Sequence, residues 1–170
     1  MKITITISDA FSCSLDRAFK APILGDATKF LNGYLVQPPV TGFEADETWG
    51  KVGGVRYPVT KGNWLTPAGR IFTDTILECN TNNMWKWMIS DFKYALMFFA
   101  YKATGTWTVE PINNDRVSVK YSYTFYSKNF CLHLFTILFA VIQWRGMMKK
   151  ALKGIKKQAE SNEAFIYKRK

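Results

Sequence analysis

One uninterrupted stretch, residues 129–161, constrains the fold more than any other part of the chain. It contains no proline and is far too long for a strand, so it predicts a single long helix. Residues 130–144 are apolar on nearly every side, and such a helix must be covered on more than one face or must meet lipid or a ligand. Seven apolar residues at helical spacing predict one continuous stripe along the helix: Leu134, Leu138, Val141, Met148, Leu152, Ile155 and Ala159.

The residues before this helix predict strands joined by short turns. Residues 2–8 and 116–126 alternate apolar and polar side chains, which is typical of half-buried strands. Further strands are predicted at residues 42–49, 55–59, 70–79, 84–92 and 98–110. Short turns between successive strands favour an antiparallel meander. Strands followed by one long helix indicate an α+β fold in which a sheet wraps around the helix, with room for a space between them.

Two short helices are predicted after the first strand. The first begins at the helix cap Ser14 and is expected to break at Pro22 and Gly25. The second covers residues 27–31 after the cap Asp26. This order, one strand and then two short helices before the remaining strands, restricts the number of compatible folds.

The size and charge of the chain set limits on its organisation. Its 170 residues fit one domain, predicted at residues 1–161, followed by a basic tail at 162–170 that we expect to be loose. The net charge is +10, and lysines fill one side of the second half of the long helix. A solvated face is the most common role for such lysines. The adjoining apolar and basic segments also supply the two signals needed for adsorption to an anionic membrane. No motif predicts nucleic-acid binding.

The apolar half of the long helix, residues 130–144, is about 15 residues long, whereas a spanning helix needs about 20. We interpret it as a buried or interfacial helix, with a membrane-spanning segment as the alternative. The three cysteines, Cys13, Cys79 and Cys131, are an odd number without C-x-x-C spacing, which argues against a disulfide framework or a zinc site and suits a cytoplasmic protein.

Few residues suggest catalysis. His133 is the single histidine, and a helix-surface or core position is expected for it rather than the role of a general base. Asp74, Glu78 and Asp91 lie within predicted strands, where a carboxylate most commonly points outward into solvent. The alternation of residues 70–79 does not fix the direction of Asp74 or Glu78. A carboxylate facing an apolar cavity instead would have a raised pKa and would be able to act as an acid or base. The sequence therefore predicts no catalytic residue, no metal site and no cofactor.

Four segments carry a resemblance to a known family: residues 15–19 (LDRAF), 105–111 (GTWTVEP), 116–125 (RVSVKYSYTF) and 147–157 (MMKKALKGIKK). Over almost its whole length the chain resembles the START-like superfamily, also called SRPBCC, which includes birch-pollen-allergen-like and polyketide cyclase/dehydrase-like proteins. The resemblance implies the helix-grip fold, a curved antiparallel sheet of about seven strands gripping a long C-terminal helix. It also implies an apolar cavity between sheet and helix. Members of the superfamily bind lipids, sterols, polyketides and other hydrophobic ligands, and some catalyse cyclisation or dehydration.

The predicted function is non-enzymatic binding of a hydrophobic small molecule or lipid in this cavity, with residues 27–33 gating its mouth. Alternatives are a cyclase or dehydratase of a polyketide-like substrate, and a module whose residues 130–144 meet a membrane or a second copy of the chain in a homodimer. Aromatic residues at strand spacing are also typical of a filled core. The predicted ligand-binding residues are Trp85, Trp87, Trp107, Tyr121, Tyr123, Phe125, Phe135, Leu138, Phe139 and Ile142.

Overall fold

Eight antiparallel strands form one open sheet in the computed structural model, which describes residues 1–93, 96–161 and 163–167, with the backbone alone at positions 96 and 99. The strand order is β1-β8-β7-β6-β5-β3-β2, and β4 pairs with β3. Neighbours along the chain are mostly neighbours in the sheet, so the predicted antiparallel meander is confirmed. The strands are β1 (Lys2–Phe11), β2 (Val40–Ala45), β3 (Val55–Thr60), β4 (Gly69–Arg70), β5 (Thr73–Asn80), β6 (Met84–Ser90), β7 (Lys102–Asn113) and β8 (Arg116–Tyr126).

The bounds of several predicted strands differ from the structure. The strand predicted at residues 42–49 is β2, which ends at Ala45 because a turn follows it, and the strand predicted at 2–8 extends to Phe11. The strand predicted at residues 70–79 divides into β4 and β5, because Ile71 and Phe72 are both buried and consecutive residues of a regular strand point to opposite faces. The strand predicted at residues 98–110 begins only at Lys102, since a short helix, α2 (Leu96–Phe99), precedes it.

The first helix, α1 (Leu15–Leu24), begins at the predicted cap Ser14, whose hydroxyl accepts a hydrogen bond from the Arg17 N–H. The prediction that this helix breaks at Pro22 is wrong, because Pro22 lies inside it. Proline has no N–H to donate to the carbonyl four residues earlier. That carbonyl, on Ala18, instead accepts a hydrogen bond from the indole Nε1 of Trp107 at 3.0 Å. A tertiary contact therefore replaces the missing helical bond.

The second predicted helix is a single 3₁₀ turn, Ala27–Lys29, shorter than the predicted 27–31. Asp26 caps it as expected, accepting from the Thr28 N–H at 3.1 Å. Part of the predicted tail, residues 163–167, lies against α1, so it is not loose. The Tyr167 N–H donates to the Leu24 carbonyl, and the Arg17 guanidinium lies 4.8 Å from the Phe165 ring centre.

The long C-terminal helix is confirmed and runs without a break through three segments: α3 (Phe130–Leu138), a π-helical segment (Phe139–Trp144) and α4 (Arg145–Glu160). Asn129 caps its start by accepting from the Leu132 N–H. α4 lies against α1 and β1 and buries the second half of the predicted stripe. The sheet, α1 and α4 together enclose the core, which is the helix-grip arrangement implied by the resemblance.

The predicted stripe is not continuous, because the π-helical segment changes which residues face the sheet. Hydrogen bonds in a π-helix reach the fifth residue rather than the fourth, which adds one residue to the turn. In α3 and the first residues of the π-helical segment the buried positions are Thr136 and Ala140, whereas Leu134, Leu138 and Val141 are exposed. The inner face of α3 is thus displaced by one residue from the position that a regular α-helix predicts.

Close packing of β7 on β6 generates a prediction about Gly105. A Cβ atom added at this position would overlap the indole of Trp87, which is buried and donates to the Tyr123 hydroxyl. We expect Gly105→Ala to lower the free energy of unfolding by about 1–3 kcal/mol through overpacking. Denaturant unfolding followed by circular dichroism measures this change.

The matched control is Gly42→Ala in β2, where an added Cβ meets no atom within 4 Å. Both substitutions restrict the unfolded chain equally, so their difference isolates the clash in the folded state. Equal unfolding midpoints for the two variants would contradict the close packing at Gly105.

Candidate functional site

An ion pair lies inside the otherwise apolar core. Arg56 of β3 and Asp74 of β5 are direct partners in the strand register, and their side chains turn into the core with 6% and 3% of each residue exposed. The Arg56 Nε donates to the Asp74 Oδ2 at 3.0 Å. The expectation that Asp74 points outward is therefore wrong, whereas Glu78 and Asp91 are exposed as predicted. As direct partners on neighbouring strands, Asp74 and Arg56 lie on the same face of the sheet, and that face is the buried one.

Two aromatic rings hold the Arg56 guanidinium in position. Its central carbon lies 4.1 Å from the Trp49 ring centre and 4.5 Å from the Phe43 ring centre. Such cation–π contacts are strongest where water is excluded. Trp49 is itself fixed, since its Nε1 donates to the Ile23 carbonyl at 2.9 Å. The position of the charge is thus set by the aromatic rings as well as by Asp74.

Burial raises the pKa values of the groups at this ion pair. It raises the pKa of the Asp74 carboxyl above its usual value, and the nearby Arg56 charge only partly opposes this effect. Burial also raises the pKa of Tyr121 and of Tyr123, so both phenols stay protonated near neutral pH. The Tyr123 hydroxyl accepts a hydrogen bond from the Trp87 Nε1 at 3.0 Å and interacts with the Tyr121 hydroxyl.

A small cavity lies between these polar groups and the helices. Its volume is about 30 Å³, which is room for about two water molecules. The sheet contributes the polar groups and Trp87, while the long helix contributes Trp144 and Met147. Phe30 and Leu31, which follow the 3₁₀ turn, close another side. The interior is therefore nearly filled in this conformation.

Four buried polar atoms have no hydrogen-bond partner among the described residues, and all four belong to residues lining this cavity: Gln37 Oε1, Arg56 Nη1, Asp74 Oδ1 and Trp144 Nε1. Leaving a buried polar atom unpaired costs about 1–3 kcal/mol, so native proteins rarely keep several together. Two of these atoms are donors and two are acceptors. The cavity is therefore chemically suited to a group that both donates and accepts hydrogen bonds.

The structure brings together only part of the predicted site. Trp87, Tyr121 and Tyr123 line the cavity. Trp85 and Trp107 are buried beneath α1 and donate to its carbonyls. Two further predicted residues, Phe125 and Phe139, lie outside the lining and contact Trp144 edge-on or at a tilt, with ring centres 5.0 and 5.9 Å away.

The expected inward placement is wrong for three residues of the long helix. Phe135, Leu138 and Ile142 are 55%, 48% and 59% exposed and point away from the sheet. The extra residue in the π-helical turn is the physical reason, because it changes which positions within and before the turn face the sheet. His133 also lies outside the cavity lining, and its Nδ1 is 2.7 Å from the Ser127 hydroxyl.

Sequence reasoning missed Gln37, Arg56 and Trp144. In β3 the apolar alternation of Val55, Tyr57 and Val59 favours that face as the buried one, but the opposite face, which carries Arg56, is buried. Only the pairing of β3 with β5 shows that Arg56 meets an opposite charge. The signal for Trp144 was its place at the end of the apolar segment, although the π-helical turn that directs it inward has no sequence signature.

Comparison with solved structures places this geometry in a known fold. Norcoclaurine synthase from Thalictrum flavum, in complex with dopamine and hydroxybenzaldehyde, superposes with a TM-score of 0.70 at 14% identity, covering 96% of this chain and 90% of that one. Ara h 8.0201 gives a TM-score of 0.70 at 16% identity, over 95% of this chain and 100% of that one. The ZhuI aromatase/cyclase from Streptomyces sp. R1128 gives 0.67 at 11% identity, over 94% of both chains.

No family model matches the chain, and no curated protein matches it. The structural likeness therefore establishes the fold, and the helix-grip α+β architecture expected from the START-like resemblance is confirmed. Fold alone does not determine function, which depends here on the cavity and on the polar groups that line it.

The raised pKa of Asp74 generates a prediction about stability. Because the pKa in the folded state lies above the ordinary value of 3.8, Asp74 contributes stability that is fully present below pH 3.8 and is lost as the pH rises through the raised pKa. The free energy of unfolding of the wild type, minus that of Asp74→Asn, should therefore fall as the pH increases over this range. Urea unfolding at a series of pH values measures it.

The exposed Asp115 supplies the matched comparison, since Asp115→Asn makes the same chemical change at the surface. The difference in free energy of unfolding between the wild type and Asp115→Asn should vary much less over this pH range. A difference for Asp74→Asn that grows with rising pH would show that the ion pair, rather than burial, dominates the protonation of Asp74.

Proposed function

We propose that the chain binds a hydrophobic small molecule or lipid between the sheet and the long helix, with a polar end of the ligand at the Arg56–Asp74 pair. The observation that carries this proposal is the convergence of four unpaired buried polar atoms on one cavity. The apolar walls, formed by Phe30, Leu31 and Met147, would supply affinity of about 25 cal/mol per Å² buried, before the costs of ordering.

The unpaired atoms indicate the chemistry of that polar end. Arg56 Nη1 and Trp144 Nε1 donate, whereas Gln37 Oε1 and Asp74 Oδ1 accept. A simple anion would leave both acceptors unpaired, and Asp74 in its charged form would repel it. Hydroxyl groups donate and accept at once, so a hydroxyl-bearing ligand fits better. The dopamine and hydroxybenzaldehyde bound to norcoclaurine synthase, which shares the fold, are molecules of this kind.

Ligand entry requires the cavity to widen, since the space present holds only about two waters. Met147 is a suitable wall for this change, because methionine has three rotatable bonds and adapts to irregular shapes. Phe30 and Leu31 follow a single 3₁₀ turn rather than a longer helix. They lie within residues 27–33, the segment that the sequence predicts as the gate.

An enzyme of the cyclase or dehydratase type is the second candidate. It is favoured by the inward position of Asp74 and by the burial that raises its pKa, since such a carboxyl is able to donate or accept a proton within an apolar site. The neutral phenols of Tyr121 and Tyr123 line the same cavity and supply the further polar groups that such catalysis needs. The aromatase/cyclase with the same fold supports this alternative.

Native mass spectrometry of the purified protein, followed by denaturing extraction, tests for the ligand. We expect a discrete additional mass that is released on denaturation and corresponds to an apolar molecule with at least one hydroxyl group. A bare protein mass, together with no heat on titration of hydroxylated aromatic or sterol probes, would contradict binding.

To separate an enzyme from a binding protein, the extracted molecule is then incubated with the wild type and with Asp74→Asn. A change in its mass that depends on Asp74 would identify an enzyme, and an unchanged mass a binding protein.

Trp144→Phe tests the role of the polar atoms. This substitution removes an N–H that has no partner, so it breaks no hydrogen bond within the protein. We expect ligand binding to weaken by about two- to tenfold, the contribution of one hydrogen bond, when titrated by calorimetry. Trp64→Phe is the matched control, since Trp64 is 87% exposed and distant from the cavity lining. Equal dissociation constants for the two variants would exclude Trp144 as a ligand contact.

A further inference from the structure

The side of the long helix that faces away from the sheet is apolar and uncovered by the described residues. Its exposure ranges from 46% at Val141 to 78% at Phe130. We call this surface the outer helix face, formed by Phe130, Leu134, Phe135, Leu138, Val141 and Ile142. Monomeric soluble proteins rarely expose so many large apolar side chains side by side, and such a patch marks an interaction surface.

Neighbouring segments extend this surface. α2 contacts α3, and its residues Met97 and Phe98 are 41% and 61% exposed. Leu35, which is 69% exposed, follows Tyr34, whose carbonyl accepts a hydrogen bond from Gln143 of the π-helical segment. The apolar surface therefore continues beyond a single helix.

Basic residues border the outer helix face, and acidic residues are absent from this part of the sequence. No aspartate or glutamate occurs between Asp115 and Glu160. Lys128 precedes α3, while Arg145 and Lys149 continue the same side of the helix beyond Val141 and Ile142; all three basic residues are exposed. One side of the helix thus changes along its length from apolar to positively charged.

We propose that the outer helix face docks on an anionic lipid bilayer, with the helix lying in the plane of the membrane surface. Its apolar side chains would enter the boundary of the acyl chains, and the flanking basic groups would contact the anionic headgroups. Apolar burial and charge attraction together provide the two contributions that stable adsorption requires. This inference is independent of what the cavity binds.

A long helix that lies in the plane of the membrane surface fits the structure better than a helix that spans the membrane. The continuous helix has 31 residues and satisfies a spanning criterion by length and composition, and 28% of its most apolar 18-residue window is buried. However, its second half, α4, is held in the core through Met148, Leu152 and Ile155. Spanning would remove these side chains from the sheet, whereas surface docking leaves the fold unchanged.

A lipid surface also suits the charges better than a second copy of the chain. Pairing two outer helix faces would bring the Lys128, Arg145 and Lys149 groups of both copies close together, and like charges oppose such association. Anionic headgroups instead offer the opposite charge along the whole border. An anionic membrane therefore suits both the apolar and the basic parts of the surface, whereas a second copy suits only the apolar part.

Flotation with vesicles of phosphatidylcholine, with and without phosphatidylserine, tests the proposal. We expect the wild type to float with the phosphatidylserine vesicles, and much less with phosphatidylcholine alone or at high salt. The triple variant Phe135→Gln/Leu138→Gln/Ile142→Gln keeps good helix formers at exposed positions and should reduce the bound fraction by about tenfold or more. The matched control is Val52→Gln/Leu77→Gln/Ile112→Gln, which changes three exposed apolar residues outside the helix and should float like the wild type.

Circular dichroism of both variants ensures that a loss of flotation does not arise from unfolding. Two results would overturn the proposal. One is a wild type that remains with the soluble fraction in the presence of phosphatidylserine vesicles. The other is equal flotation of the two triple variants, which would assign lipid binding to another surface. If sedimentation shows a dimer that only the helix variant dissociates, and no flotation occurs, the outer helix face is a self-association interface instead.

Discussion

Three indole N–H groups hold helix α1 against the rest of the fold. Trp107, Trp85 and Trp49 donate to the carbonyls of Ala18, Phe19 and Ile23. Because Pro22 cannot donate to the Ala18 carbonyl, the contact from Trp107 satisfies a group that the helix itself leaves free. α4 then packs on α1, and the far end of α1 presents Pro22 and Ile23 to the cavity. The position of the cavity wall thus depends on tryptophans that do not line it.

The strands were predictable where alternation is clean. The β8 strand has the predicted bounds, and the predicted capping residues Ser14 and Asp26 start their helices through side-chain hydrogen bonds. Sequence reasoning failed where tertiary contacts or backbone irregularities decide the outcome, as at Pro22 and in the π-helical segment. In the π-helical segment and in α3 before it, the buried residues are displaced by one position from the predicted ones. Thr136 and Gln143 are buried where Phe135 and Ile142 were expected.

The polar cluster was not predictable for a related reason. Arg56 and Asp74 are 18 residues apart and meet only because β3 pairs with β5 in one particular register. A register irregularity between Ile76 and Glu78 also changes the phase of β5, so the sequence alone gives no consistent inner face. The aromatic residues of the strands were predicted well as buried groups, but their pattern does not separate Trp87, which lines the cavity, from Trp85, which anchors α1.

The π-helical segment lies between the cavity and the outer helix face. Its inner side carries Trp144, which meets the cavity, and its outer side carries Ile142, which faces solvent. Gln143, between them, is fixed to the Tyr34 carbonyl at 2.6 Å. Since π-helical turns are rare and less stable than α-helical ones, they persist mostly where function maintains them. The same six-residue segment therefore contributes Trp144 to the cavity wall and Ile142 to the apolar exterior.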